Sequence, residues 1–287
     1  MFLPVVFWWY PEGMSDAPPL VPARTAPAPA FGWGAAVGTL GGLIGLGGAE
    51  FRLPVLVHGF GHGIRDAVRL NLLVSLITVA AALAGRLAMA RFPSLGGYGV
   101  EIVAVTAGAM AAAWLGTGLM RRLSEGGLTL VVAGLLMGIA ALLLGEAVLP
   151  DGTVPPLPGD AVVRAVAGVL FGLAIGLVSS LLGVAGGELI IPTFLFAFGA
   201  DIKTAGTASL IVSLPTILVG VARHARAGAY RSRAVMTTLV APMGAGSIVG
   251  AGVGAALVGW APVALLKAAL GTILAVSSVK MFRHARH

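Results

Sequence analysis

From Phe31 onward, apolar segments follow one another along the chain with only short polar breaks between them. Most approach the roughly 20 residues that an α-helix needs to cross a bilayer. The pattern predicts helices over 31–49, 65–90, 98–120, 126–148, 161–187, 203–226, 233–258 and 261–282. Two pieces do not fit it. At 50–64 and 188–202 an apolar stretch following a Glu is too short to cross, and is expected to dip in and return. Residues 1–30 hold seven prolines, which exclude a continuous helix, and read as a Pro-rich N-terminal tail. They lack the basic start and apolar middle of a secretory signal.

The pattern occurs twice. Displaced by 138 residues, Gly45–Thr78 lies over Gly183–Thr216 without a gap, and thirteen of the 34 positions are identical. Two rare residues four apart recur together, Glu50 with Pro54 and Glu188 with Pro192. Bias in a Gly/Ala/Leu/Val-rich chain does not readily produce that, and duplication does. Paired halves with broken helices are the arrangement of secondary transporters. The expected fold is therefore an all-α polytopic membrane protein with about eight transmembrane helices in two four-helix repeats, broken at the Gly-rich motifs. The first repeat is 31–148, the polar stretch 149–160 is the linker, and the second repeat is 161–287. Eight spans give both repeats the same orientation, and a different count for the short pieces inverts one of them.

Composition strengthens the membrane assignment. Hydrophobic residues are 58% of the 287, charged residues 10%, and the mean hydropathy is +0.99, which leaves too little polar surface to cover a soluble core. The net charge of +7 belongs mostly to segment ends, so membrane lipid is its partner and nucleic acid is not. The absence of cysteine excludes disulfides, thiolate metal sites and cysteine nucleophiles. With eight spans, the ends carrying Arg86 and Arg91, Arg223 to Arg233, and Lys280 to Arg286 share one side. Both termini are then cytoplasmic, with Arg121 and Arg122 opposed. The runs Gly168-x3-Gly172-x3-Gly176 and Gly246-x3-Gly250-x3-Gly254 place small residues on one helical face for close packing.

Candidate chemistry gathers at the breaks. Gly48, Gly186 and Gly187 loosen the backbone, and Glu50 and Glu188 place an ionisable group in each half. In a bilayer, irregular backbone survives only where protein or a water-filled cavity satisfies it. The following helices carry Arg69, Asn71 and Ser75 in the first half and Thr207, Ser209 and Ser213 in the second. Residues 71 and 75 share a helical face, as do 209 and 213. Backbone N–H groups at a broken helix suit an anion, and neutral hydroxyls and amides bind it without holding it too tightly.

Arg52 and Arg69 occur in the first half alone, opposite Ile190 and Thr207. Either supplies the counter-charge for an anionic substrate, or pairs internally with Glu50 or Asp66; the internal pair is favoured slightly for Arg52. Glu50 and Glu188 either carry protons or cap broken helices. His58 and His62 are four apart without a metalloprotease Glu, and no metal or other cofactor is expected. Other solutes, a carboxylate or a metal ion held by both Glu, remain alternatives, as does a non-transporting assembly subunit or a membrane enzyme. No catalytic set supports the enzyme. A homo-oligomer is left open.

The segments GLIGLGGAEFRLPVL at Gly42–Leu56 and GVAGGELIIPTFLFAFGADIKTAGTASLIVSLPTILVGVARH at Gly183–His224 resemble the two repeats of the TauE/SafE, or sulfite exporter, family. The resemblance covers nearly all of 31–283. It rests most firmly on Gly183-x-x-Gly186-Gly187-x4-Pro192 and the Thr207-x-Ser209-Leu210 that follows. The first repeat departs by having Ala49 for a glycine and by carrying Arg52. The resemblance implies export of sulfite or an organosulfonate such as sulfoacetate across a bacterial inner membrane.

Overall fold

In a computed structural model of the protein, residues 26–44, 48–88, 95, 97–148 and 157–257 are described, together with 268, 272, 275, 276, 278 and 279. Among the described residues the regular structure is all helical, in the order α1 (Pro27–Ile44), α2 (Ala49–Pro54), α3 (Ile64–Ala88), α4 (Gly99–Arg122), α5 (Glu125–Val148), α6 (Ala161–Leu182), α7 (Gly187–Pro192), α8 (Ile202–Arg226), α9 (Arg233–Val235) and α10 (Ala241–Leu257). Five segments among them are long and apolar enough to cross a membrane: Ile64–Ala84, Gly99–Met120, Ala161–Leu182, Thr204–Arg226 and Arg233–Gly254. The helix expected over 261–282 lies mostly outside the described residues, as does the tail before residue 26. The first helix starts at Pro27, inside the expected tail, because proline is tolerated in a first turn where N–H groups have no helical partner.

The surface is inside out relative to a soluble protein. Val103, Leu115, Val162 and Leu170 are more than 60% exposed, whereas Arg52, Asn71, Ser75, Glu188, Ser213 and Ser247 are buried. Lipid takes the outward apolar face, and the polar groups face one another.

The short pieces fold alike. α2 and α7 each end at a proline, which lacks an N–H and crowds the preceding turn, and the chain continues as a wider π-helical turn, Val55–Gly59 and Thr193–Ala197. Each turn closes on a Phe, with Phe60 N–H to Val55 O at 3.1 Å and Phe198 N–H to Thr193 O at 3.3 Å. All these boundaries, and those of α3 and α8, lie 138 residues apart. α6 ends at Gly183 in the left-handed region (φ 66°), where a side chain would also strike the Val68 backbone of α3. Glycine alone fits that position.

Long helices pack across the halves. Gly172 and Gly176 of α6 sit against the Val105 and Ala109 backbone of α4, and Gly34 and Gly38 of α1 sit against the Met243 and Ser247 backbone of α10. Every residue in the second set is the 138-residue counterpart of one in the first. Gly246 likewise meets Phe31, as Gly108 meets Val169. The small-residue runs thus pack backbone on backbone as the sequence expected.

One expectation is corrected. Counterpart helices α3 and α8 run in opposite directions, not the same one. A Cβ on Gly220, near the end of α8, would come 2.8 Å from Leu72, near the start of α3. Beyond α8, the Tyr230 hydroxyl donates to Arg69 O at 3.1 Å. The physical reason is the piece at 187–197: it carries the chain back to the side on which α6 began, where Leu157 N–H donates to Ala197 O at 2.8 Å, so α8 runs the way α6 does and five reversals separate α3 from α8. The charged ends regroup accordingly. Arg223 stacks on the Trp114 ring at 4.6 Å and approaches Gly118, so the α4 end bearing Arg121 and Arg122 lies beside the α8 end bearing Arg223 and Arg226. Arg86 is at the far end of α3.

Candidate functional site

Asn71 joins the two breaks. Its Nδ2 donates to Ala49 O in the first break at 2.8 Å and to Leu182 O, the last residue before the second, at 3.4 Å. Its Oδ1 accepts from Arg52 Nη1 at 3.2 Å. The same Nη1 donates to Ser75 Oγ at 3.3 Å, and Nη2 donates to Ser247 Oγ at 3.3 Å. Ser75 is one helical turn beyond Asn71 and eleven residues into α3 from Ile64. At 1.5 Å per residue that is about 16 Å, half of a ~30 Å hydrocarbon core.

Arg52 is fully buried, and the partners it has among the described residues are neutral oxygens. Isolated charge in a low-dielectric interior costs several kcal/mol, so a buried guanidinium whose partners among the described residues are dipoles attracts an anion strongly. Arg69 forms an internal ion pair, its Nη1 3.2 Å from Asp66 Oδ1, while the Glu50 side chain weighed as a partner for Arg52 lies outside the described residues. Arg69 is two residues from Asn71 and therefore on another face of α3. Burial pushes the Tyr230 hydroxyl above its usual range and keeps it a donor to Arg69 O.

The second half is less polar. Glu188 is 2% exposed, and among the described residues neither carboxylate oxygen meets a donor beyond its own backbone. Ser213 donates to Ala185 O at 2.7 Å, bracing the second break from α8. Thr207 and Ser209 are buried on the same helix, and Gly186 (φ 78°) and Gly187 open α7 as Gly48 (φ 68°) opens α2. The side chain of Glu50 lies outside the described residues. A groove of about 340 Å³ between α6 and α7 is lined by Phe171, Ile175, Leu189, Pro192 and Phe196, and suits hydrocarbon, not an anion.

Two elements were not anticipated from the sequence. Ser247 occupies a small-residue face of α10 and reads there as packing. The other is a clasp on the end of the second π-turn. Arg164 pairs with Glu101 at 2.5 Å, donates to Phe198 O at 3.0 Å, and lies 5.8 and 5.7 Å from the Tyr98 and Phe198 rings. Tyr98 donates to Gly199 O at 3.1 Å. The counterparts of Arg164, Glu101 and Tyr98 are Ala26, Leu239 and Met236, so the first half has no such clasp.

Helices with an apolar exterior, polar groups turned inward and a cation near mid-depth define a polytopic membrane protein of transporter type. The family model of the sulfite exporter TauE/SafE matches residues 1–143 and 168–287, and the chain belongs to that family. It is a family of membrane transporters of sulfur anions. No curated protein and no solved structure matches the chain.

Proposed function

We propose that this chain is a secondary transporter that exports a small sulfur oxyanion, sulfite or an organosulfonate such as sulfoacetate, across a bacterial inner membrane. The observation that carries the reading is Arg52, a fully buried cation with neutral partners beside both breaks. The anion binds there, between two repeats of opposed orientation, each built of about four long helices and one short returning piece. The closed surroundings of Arg52 and Glu188 fit an occluded state, and rocking of one repeat against the other exposes the site to each side in turn. Both termini are cytoplasmic, on the arginine-rich side that holds the ends of α4 and α8. Glu188 carries the coupling proton, since a buried carboxyl without a donor is free to exchange one with a passing water.

The test is sulfite and sulfoacetate flux in proteoliposomes containing the full chain. Wild-type protein is expected to move the anion, and Arg52→Gln to lower flux at least about tenfold through loss of a charge-assisted contact. Flux that is unaltered in Arg52→Gln overturns the site.

A further inference from the structure

The hydrogens around Arg52 are unevenly committed. Both N–H donors of Asn71 are taken, by Ala49 O and Leu182 O, and its Oδ1 accepts from Arg52. Ser75 gives its one hydrogen to Asn71 O at 2.7 Å and accepts from Arg52. Neither has a donor left for a ligand, although the sequence points to both. Ser247 differs. Its oxygen accepts from Arg52 Nη2 at 3.3 Å, and it donates to no acceptor among the described residues. The Nε–H of Arg52 is likewise buried without a partner. Nε and Nη2 form one edge of the planar guanidinium, the edge that forks onto two oxygens of one anion. Ser247 sits at that edge, whereas Asn71 and Ser75 hold Nη1.

We infer that Ser247 O–H and the Nε/Nη2 edge of Arg52 are the groups that take the oxyanion, with Asn71 and Ser75 restricted to orienting the guanidinium. The inference rests on the anion-transport reading above. In the empty site the Ser247 oxygen stands where an anion oxygen goes. When the anion arrives, its oxygens accept from Nε and Nη2, and the Ser247 hydroxyl turns from accepting to donating. Sulfite and sulfonates offer two oxygens on one edge and a third for Ser247, whereas chloride offers a single point. The site exists once per chain, because the 138-residue counterparts of Arg52 and Ser247 are Ile190 and Ala109.

Binding of sulfite and of methanesulfonate to the purified full chain in detergent tests this, read by calorimetry and by the anion-induced rise in melting temperature. Ser247→Ala removes one oxygen and adds no volume. It is expected to weaken both anions about tenfold, the typical loss of one hydrogen bond to a charged group. Weak chloride competition stays as in the wild type, and the anion-free melting temperature falls by no more than the loss of one acceptor for Arg52 Nη2 entails. Ser75→Ala, which deletes an acceptor and no available donor, changes affinity less. Equal oxyanion affinity in wild type and Ser247→Ala overturns the inference. Should the Ala variant not fold, Ser247→Cys keeps the volume with a much weaker donor and is read the same way. A wild-type protein that binds neither anion, or binding that survives Arg52→Gln, defeats the transport reading itself and this inference with it. Binding that needs Arg52 and ignores Ser247 defeats the inference alone.

Discussion

Asn71 and Leu182 are 111 positions apart in sequence and share a hydrogen bond in the interior, from the amide of α3 to the last carbonyl of α6. With the bond to Ala49 O, one side chain satisfies the backbone of both breaks. The breaks therefore meet, and the cation that lies between them is held by the same amide.

Replacing Asn71 separates these roles. Asn71→Ala takes a side-chain donor from two buried carbonyls and is expected to lower stability by about 1–3 kcal/mol. Asn71→Asp also lacks the donors but sets a carboxylate against Arg52, cancelling the charge that draws the anion. Thermal unfolding in detergent should show a loss for both. Anion binding should fall further in Asn71→Asp than in Asn71→Ala, and the reverse order would remove Arg52 from the site.

The clasp on the second π-turn predicts an asymmetry of motion. Arg164→Ala strands Glu101, whose side chain is 5% exposed, and releases Phe198 O. Breaking a buried pair by removing one partner costs roughly 3–5 kcal/mol, and the partial exposure of Arg164 puts this one at or below the low end. Hydrogen exchange should rise selectively over 193–200 and leave 55–62 unchanged. Uniform change in both would show that the clasp does not distinguish the halves.

Backbone packing gives a paired prediction. Gly34 and Gly172 meet the Met243 and Val105 backbones in counterpart positions, so Gly34→Ala and Gly172→Ala should destabilise by similar amounts. Gly134→Ala and Gly138→Ala on α5 meet nothing within 4 Å and should stabilise by about 0.5–1 kcal/mol each, the helix preference for Ala over Gly. Melting temperatures of the four variants decide it.

How much of this was legible in the sequence depends on whether a residue's role is local. The 138-residue repeat, the helix ends near Ala88 and Arg226, and the close packing at Gly172 and Gly246 follow from composition and period. Helix direction does not. Whether 187–197 stops in the interior or carries the chain back to the side where α6 began turns on a few ångströms of depth, and that choice inverted α8 relative to α3 and moved Arg121 and Arg122 to the side of Arg223. At the site, Arg52, Asn71 and Ser75 were marked by being polar in an apolar run. Ser247 was hidden, because a serine among glycines and alanines reads as a packing residue. Arg164 and Glu101 were hidden too, because charges at helix starts read as interfacial. What distinguishes them is a partner far away in sequence: Ser247 lies 195 positions from Arg52.

Glu188 carries the last prediction. It is enclosed in the second break, its first-half counterpart is Glu50, and among the described residues no donor outside its own backbone meets its oxygens. A capping role would give the carboxylate backbone N–H partners from the next turn, and α7 offers those to Gly186 O instead, through Leu189 N–H at 3.0 Å and Ile190 N–H at 2.9 Å. On the proposed reading the group carries the coupling proton. Glu188→Gln keeps its shape and removes the titrating proton. With a pH gradient imposed across proteoliposomes, wild-type sulfite flux should follow the gradient, whereas the Gln variant should bind sulfite normally and exchange it without regard to the gradient. If Glu188→Gln retains gradient-driven flux, the proton travels elsewhere, and Glu50 becomes the residue to substitute next.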